Sequence, residues 1–303
     1  MNTNLILYCF LLLQYLLVSA CRSENDDIEV IVTVRKIGLN MRNGLKYEGR
    51  QYAAQGVAIW DKTLYRLYDT GICQSFDISE IEKPLLISTF PLASYQKTNH
   101  SNGGQFLSIR ETTIDSPFLY VSGSLGRCFV ESISDKSSTL IQTITIDEEE
   151  IAQQNVRLNI VCGDDGFLWA FGRNVEKREL WFAKFPKPNL SKNTVRLCYD
   201  DMIDFWTEPN YIFEKSVSQS GKIYNGRLYY VFGTEKTDRH IMIYDTKSHK
   251  KILDYDLNQY VKEEPEDLEI IGKSIYIFIN GGTGYYVIDG LIEQLEYECL
   301  KNN

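Results

Sequence analysis

The feature that most restricts the fold of this chain is a unit that returns five times. A short apolar strand runs into a polar turn, a second strand rich in aromatics follows, and a third closes the unit. The copies are GVAIWDKTLYRLYDTGICQSFDI at 56–78, FLSIRETTIDSPFLYVSGSLGRCFVESI at 106–133 and LNIVCGDDGFLWAFGRNVEKRELWFAKF at 158–185. KIYNGRLYYVFGTEKTDRHIMIYDT at 222–246 and DLEIIGKSIYIFINGGTGYYVID at 267–289 complete the set. With Tyr65, Tyr120, Leu168, Tyr229 and Tyr276 as markers, the steps are 55, 48, 61 and 47 residues. That spacing suits small four-stranded sheets joined by loops of variable length.

The turns support the same reading. Trp60-Asp61-Lys62, Asp164-Asp165-Gly166, Tyr224-Asn225-Gly226 and Ile271-Gly272-Lys273 each separate two strand-like runs. Asn225-Gly226 is the strongest hairpin signal, since both residues tolerate positive φ. Segments 85–90, 140–146, 194–199 and 251–255 are expected as the outer strands of the units. Segments 147–154 and 200–206 are expected as short turns or helices, too short for βαβ crossovers.

The expected fold is therefore an all-β β-propeller over 28–303, with five blades and six as the alternative. Radial repetition of small sheets leaves only short, protected edges; a pair of β-sandwiches is the competing architecture. Residues 28–37 are expected to pair with the last blade and close the ring, because an unpaired apolar strand is a sticky edge.

The chain begins with an apolar run of 14 residues, 5–18, interrupted only by Gln14. That is short for a bilayer-spanning helix and fits the apolar region of a signal peptide, although no Lys or Arg precedes it. Val18-Ser19-Ala20-Cys21 resembles a lipobox, which implies that residues 1–20 are removed and that Cys21 carries lipid. Residues 21–27 then form a lipidated acidic tether, similar to those that carry lipoproteins of Bacteroidota to the cell surface. The expected location is the outer membrane, surface-exposed, with a periplasm-facing orientation as the alternative.

With these segments and the repeats together, the chain resembles propeller lipoproteins of Bacteroidota, and more loosely the six-bladed NHL and TolB-like propellers. The resemblance implies a fold and a location. It brings no active-site motif onto named residues, and a fold alone does not decide function.

Composition narrows the function. The chain carries a formal net charge of −9 and no basic cluster, so nucleic acid is not an expected partner. Twenty Tyr, 14 Phe and 4 Trp suit strands, and they equally suit sugar-binding surfaces. Of seven cysteines, Cys73, Cys128, Cys162, Cys198 and Cys299 remain after processing, without the close pairs of a zinc site. They are expected as free thiols. No metal and no cofactor is expected. Asp164-Asp165-Gly166 lacks the further ligands of a calcium loop, and the pairs Gly103-Gly104 and Gly281-Gly282 read as turns or bends rather than nucleotide fingerprints.

In a propeller the innermost strands converge, so residues at their starts gather at one mouth. Gln55, His100, Gln105, Arg157, Asn159, Glu266 and Asp267 are the expected ligand-binding residues on that ground, with Gln219-Ser220 as a fifth blade's contribution. Glu266 and Asp267 alone are not a glycosidase pair, because adjacent residues on a strand point to opposite faces. Trp60 and Trp206, near turns, are expected as exposed rings. The leading functional expectation is a binding or scaffold module that recognises a glycan or an envelope protein. The alternatives are a carbohydrate-active enzyme, either hydrolase or lyase, and a structural subunit of an envelope complex.

Overall fold

The computed structural model describes residues 30–95, 100–106, 118–134, 136–147, 156–174, 176–209 and 216–301, with the side chains of 156 and 157 excepted. Residues 1–29 lie outside this set, and with them Cys21 and the expected signal peptide and tether. Five sheets are arranged as a five-bladed β-propeller.

The first strand, β1 (Thr33–Arg42), belongs to the last blade. Blade one follows with β2 (Gly44–Tyr47), β3 (Arg50–Trp60), β4 (Thr63–Tyr68), β5 (Ile72–Asp77) and β6 (Leu85–Pro91). Blade two contains β7 (Gly103–Phe106), β8 (Phe118–Ser122), β9 (Arg127–Ile133) and β10 (Ser138–Ile146). Blade three runs through β11 (Val156–Cys162), β12 (Leu168–Asn174) and β13 (Glu179–Phe185). The chain then makes β14 (Thr194–Leu197) and returns to blade three as β15 (Asp204–Pro209). Blade four is β16 (Ser218–Tyr224), β17 (Arg227–Phe232), β18 (His240–Asp245) and β19 (Lys250–Asp256). Blade five is β20 (Glu264–Ile271), β21 (Ser274–Asn280), β22 (Thr283–Asp289) and β1, and the helix α1 (Leu291–Lys301) follows it.

Ring closure is done by β1, which runs antiparallel to β22 with Thr33 opposite Asp289 and Ile37 opposite Tyr285. The strand lies a few residues later than the 28–37 expected, and a register irregularity after Ile37 carries the pairing on to Arg42. The expected hairpins form, and at Asn225 and Gly226 φ is 49° and 70°, as a tight two-residue turn requires.

The strand-like runs are nearly continuous in apolar residues because each blade is buried on both faces. Period-2 alternation then sends successive side chains to different neighbours. On β17, Tyr229 and Val231 pack toward blade five, while Leu228, Tyr230 and Phe232 pack toward blade three. On β12, Leu168 and Ala170 face blade two, and Trp169 and Phe171 face blade four. On β21, Ile275, Ile277 and Ile279 face blade four, whereas Tyr276 and Phe278 face blade one. Burial of each such Ile, Val or Phe contributes about 1.5–3 kcal/mol, so each blade junction is a small core in itself.

Three elements depart from expectation. Segment 194–199 was expected to finish blade three; instead β14 pairs parallel with β10 and becomes a fifth strand of blade two. A 3-10 turn over Tyr199–Asp201 opens the 200–206 region expected as a turn or helix, but the later part of that region enters β15, the outer strand of blade three, with Trp206 opposite Phe182. Tertiary packing decides this. Trp206 stacks on Phe182 at 4.7 Å and on His249 at 4.3 Å, so the ring expected to be exposed is buried. The helix α1 was not expected; Leu291, Ile292 and Leu295 bury against the junction of blades four and five. The segment 147–154 falls almost wholly outside the described residues.

A candidate ligand site at the propeller axis

The innermost strands approach closely because small residues line their contacts. A Cβ placed on Gly56 would lie 2.8 Å from the Cα of Gly103 and 2.8 Å from the Ser101 carbonyl oxygen. A Cβ on Gly103 would collide with the Ser220 hydroxyl, and one on Gly104 would lie 2.8 Å from Leu67. The Gly103-Gly104 pair is thus neither turn nor bend. It is strand β7 pressed against blades one and four.

At this level the axis is filled by a buried ion cluster. Lys222 Nζ donates to the carbonyl oxygens of Val57, at 3.0 Å, and of Gly104. It also lies 3.3 Å from both Asp267 Oδ2 and Glu269 Oε1. Asp267 accepts from the backbone N–H groups of Val57 and Leu268, each at 2.9 Å, and of Gly104 at 3.5 Å. Burial raises the Asp267 pKa while Lys222 and these N–H groups oppose it. Burial likewise pushes Glu269 up to about 7, against the pull of Lys222. Beside this plug, Arg66 is wholly buried, donating to the carbonyl oxygens of Gln55, Gly56 and Ile279 at 3.0, 3.2 and 2.7 Å.

Above the plug, where the axial parts of the inner strands begin, a cavity of about 400 Å³ opens. All five blades line it, and each supplies one primary amide: Gln55, Asn102, Asn159, Gln219 and Asn280. Glu264 and Glu266 of β20 also face it, as do His100 at the rim and Arg173 on β12. Glu264 accepts from Gln219 Nε2 at 3.0 Å and from Asn280 Nδ2 at 3.4 Å. His100 Nδ1 is 2.8 Å from Asp69 Oδ1, on the turn that follows β4.

Three groups at the cavity floor are buried yet keep polar atoms without protein partners. Glu266 is 4% exposed and its carboxyl makes no hydrogen bond among the described residues. The Gln55 side-chain amide, 5% exposed, is likewise unpaired among them. Asn159 donates Nδ2 to the Gln219 carbonyl oxygen at 2.6 Å but leaves Oδ1 without a donor. Burial first, then the negative charge of Glu264, pushes Glu266 well above the usual carboxylate range, and Arg66 only partly offsets this. Glu264 is raised too, chiefly by burial. Buried polar groups without partners are rare in folded proteins, and cluster where a ligand or solvent completes them.

Of the seven residues expected at the mouth, Gln55, His100, Asn159 and Glu266 meet at this cavity. Asp267 does not, because its side chain turns into the plug. Gln105 lies beyond the glycine pair, opposite Tyr120 on β8, and does not line the cavity. Arg157 stands on β11 opposite Arg173, and its side chain lies outside the described residues. Sequence reading missed Arg173 and Asn280, which sit on second strands where hairpin pairing returns them to the same mouth. Gln219 is in the cavity, while Ser220 belongs to the contact with Gly103. Trp60, 38% exposed, is the last residue of β3, whereas Gln55 lies at the middle of that strand.

Elsewhere, Asp165 accepts from Trp169 Nε1 at 3.2 Å and pairs with Lys184 at 2.8 Å. Cys73, Cys128 and Cys162 are buried and Cys198 and Cys299 exposed, and none of the five forms a disulfide among the described residues.

A closed five-bladed ring with a polar axial cavity defines the structural class of this protein. No protein-family model matches the chain, and no curated protein matches its sequence. Among solved structures it is similar to the exo-β-1,3-galactanase of Phanerochaete chrysosporium bound to galactose. The TM-score is 0.52 at 8% identity, covering 84% of this chain and 64% of that one. A Glu-to-Ala variant of the same enzyme with β-1,3-galactotriose gives a TM-score of 0.51, again at 8% identity with 84% and 64% covered. The chain therefore spans about 64% of the length of these neighbours, and at such identity the likeness is one of fold.

Proposed function

We propose that the axial cavity is a recognition site for a hydroxyl-rich ligand, a glycan, and that the protein acts as a binding module. The observation that carries this reading is the ring of five primary amides, one from each blade, around a polar cavity. An amide offers both donor and acceptor, as sugar hydroxyls do. The structural neighbours that bind galactose and galactotriose share this fold, which is consistent with the reading.

The test is a glycan array followed by titration of the best binder against wild type, Gln55→Ala and Asn159→Ala. Each substitution removes hydrogen bonds that contribute about 0.5–1.5 kcal/mol, so affinity should fall roughly three- to tenfold. Unchanged dissociation constants in both variants would remove the cavity from the function.

One observation favours a hydrolase or lyase as a second reading: Glu264 and Glu266 both bring carboxyl groups to the cavity. Turnover of the bound oligosaccharide during the same titration would distinguish it. A subunit of an envelope complex is favoured by Leu85, Leu86 and Ile87, three consecutive exposed apolar residues on β6.

We also propose that the domain is tethered as a lipoprotein on the outer face of the outer membrane, in the manner of the Bacteroidota proteins it resembles. Val18-Ser19-Ala20-Cys21 and the acidic residues that follow support this. In this proposal the acyl chains on Cys21 provide the anchor. Intact-mass measurement of membrane-extracted protein should find a cleaved, acylated Cys21; an unmodified thiol there would refute it.

A further inference from the structure

The charges around the axis do not balance locally. Each buried cation is already engaged. Arg66 spends its Nη groups on three backbone carbonyls, and Lys222 is held by Asp267, Glu269 and two more carbonyls. The carboxyl groups that reach the cavity, Glu264 and Glu266, form no ion pair among the described residues. Glu264 is held by neutral amides alone, and Glu266 by nothing among the described residues.

Arg173 on β12 and His100 line the same cavity, and four further charged groups act directly on Glu266. They are Glu264 and Asp267 on its own strand, Arg66 on β4, and Asp69 on the turn after β4. Three of the four are acids. Among the described residues, no group of His, Cys, Asp and Glu is placed to hold a metal ion.

We propose that the glycan taken by this cavity carries a free ammonium group, an amino sugar without its acetyl cap, with the nitrogen seated between Glu264 and Glu266. The inference rests on the reading of the cavity as a glycan site and names the substituent that site selects. The remaining hydroxyls meet the unpaired Gln55 amide and Asn159 Oδ1 on the floor. Arrival of the cation favours the carboxylate over the carboxylic acid. Whatever proton Glu266 holds then passes to the buffer, and a carboxylate–ammonium pair is left. An N-acetylated sugar brings no charge and adds an acetyl group where the two carboxyls converge, so it loses on both counts.

The experiment titrates the full chain calorimetrically with D-glucosamine, D-glucose and N-acetyl-D-glucosamine at pH 7, in two buffers of different ionisation enthalpy. D-glucosamine should bind roughly tenfold to a hundredfold more tightly than D-glucose, the range of a charged hydrogen bond. Its binding should release protons, and the other two sugars should release none. Glu266→Gln should abolish the release and most of the preference. Glu264→Gln, on the more open wall, should reduce the preference while keeping the release, and guards against misfolding of the first variant. If D-glucose binds as tightly as D-glucosamine, or Glu266→Gln keeps the full preference, the ammonium inference fails while the glycan reading stands. If none of the three sugars shows an interaction that Asn159→Ala weakens, both fail together.

Discussion

Glu266 and Asp267 are adjacent on β20, yet they serve two regions of the axis that satisfy their polar groups in opposite ways. Asp267 is saturated, with three backbone N–H donors and the Lys222 ammonium around it. Glu266 is almost as deeply buried and has no hydrogen-bond partner among the described residues. Both carboxyls are raised by burial, but only Asp267 is drawn back by donors in contact with it. The plug therefore reads as structure: it locks blades one, two, four and five to one lysine. The cavity floor reads as a site, because its polar groups are placed at the same depth without being completed.

Substitutions can break this contrast. Lys222→Met leaves Asp267 and Glu269 buried without their cation and strips a donor from two carbonyls. It should cost about 3–5 kcal/mol, the usual penalty for breaking a buried pair from one side. Chemical denaturation would read this directly.

The plug also carries a pH dependence with a defined sign. Glu269 rises from 4.5 to about 7 on folding, so its contribution is complete below its ordinary value and is lost as pH climbs toward 7. Relative to Glu269→Gln, the wild type should therefore lose stability across that interval, by no more than about 3 kcal/mol. Parallel denaturation curves at pH 4.5 and 7 would show it, and a wild type that instead gains stability over the interval would reverse the sign assigned to the plug. Glu266→Gln should be the mildest of the three. It replaces a carboxyl that has no hydrogen-bond partner among the described residues by an amide of similar shape, and stability should change by less than about 1 kcal/mol. A loss as large as that of Lys222→Met would mean that the floor is structural as well.

The ring was legible in the sequence because its cause is local and repeated. Alternating apolar residues, as in Arg227–Phe232 and Ser274–Asn280, feed two junctions each, and turn residues such as Asn225-Gly226 mark the hairpins. The exchange of β14 into blade two was not legible. Both Thr194–Leu197 and Asp204–Pro209 are short and half polar, and only the stacking of Trp206 on Phe182 settles which of them completes blade three.

At the site, starting positions on inner strands located Gln55, Asn159 and Glu266. The plug was missed, although a signal existed. Arg66 in L-Y-R-L-Y and Lys222 in S-G-K-I-Y are single cations inside apolar strands, and a buried charge has to find partners. Arg173 and Asn280 carried no such mark, since their arrival at the mouth depends on hairpin register.

The most direct test of the account is the protonation state of Glu266 in the ligand-free protein. A carboxyl-labelled glutamate sample, assigned by loss of one resonance in Glu266→Gln, can be titrated by ¹³C NMR. Glu266 should titrate well above the ordinary glutamate range, because burial and the neighbouring Glu264 both disfavour its charged form. Ionisation in the ordinary glutamate range would contradict it, because the carboxyl would then be completed by solvent or by the protein itself and would not be held ready for a ligand.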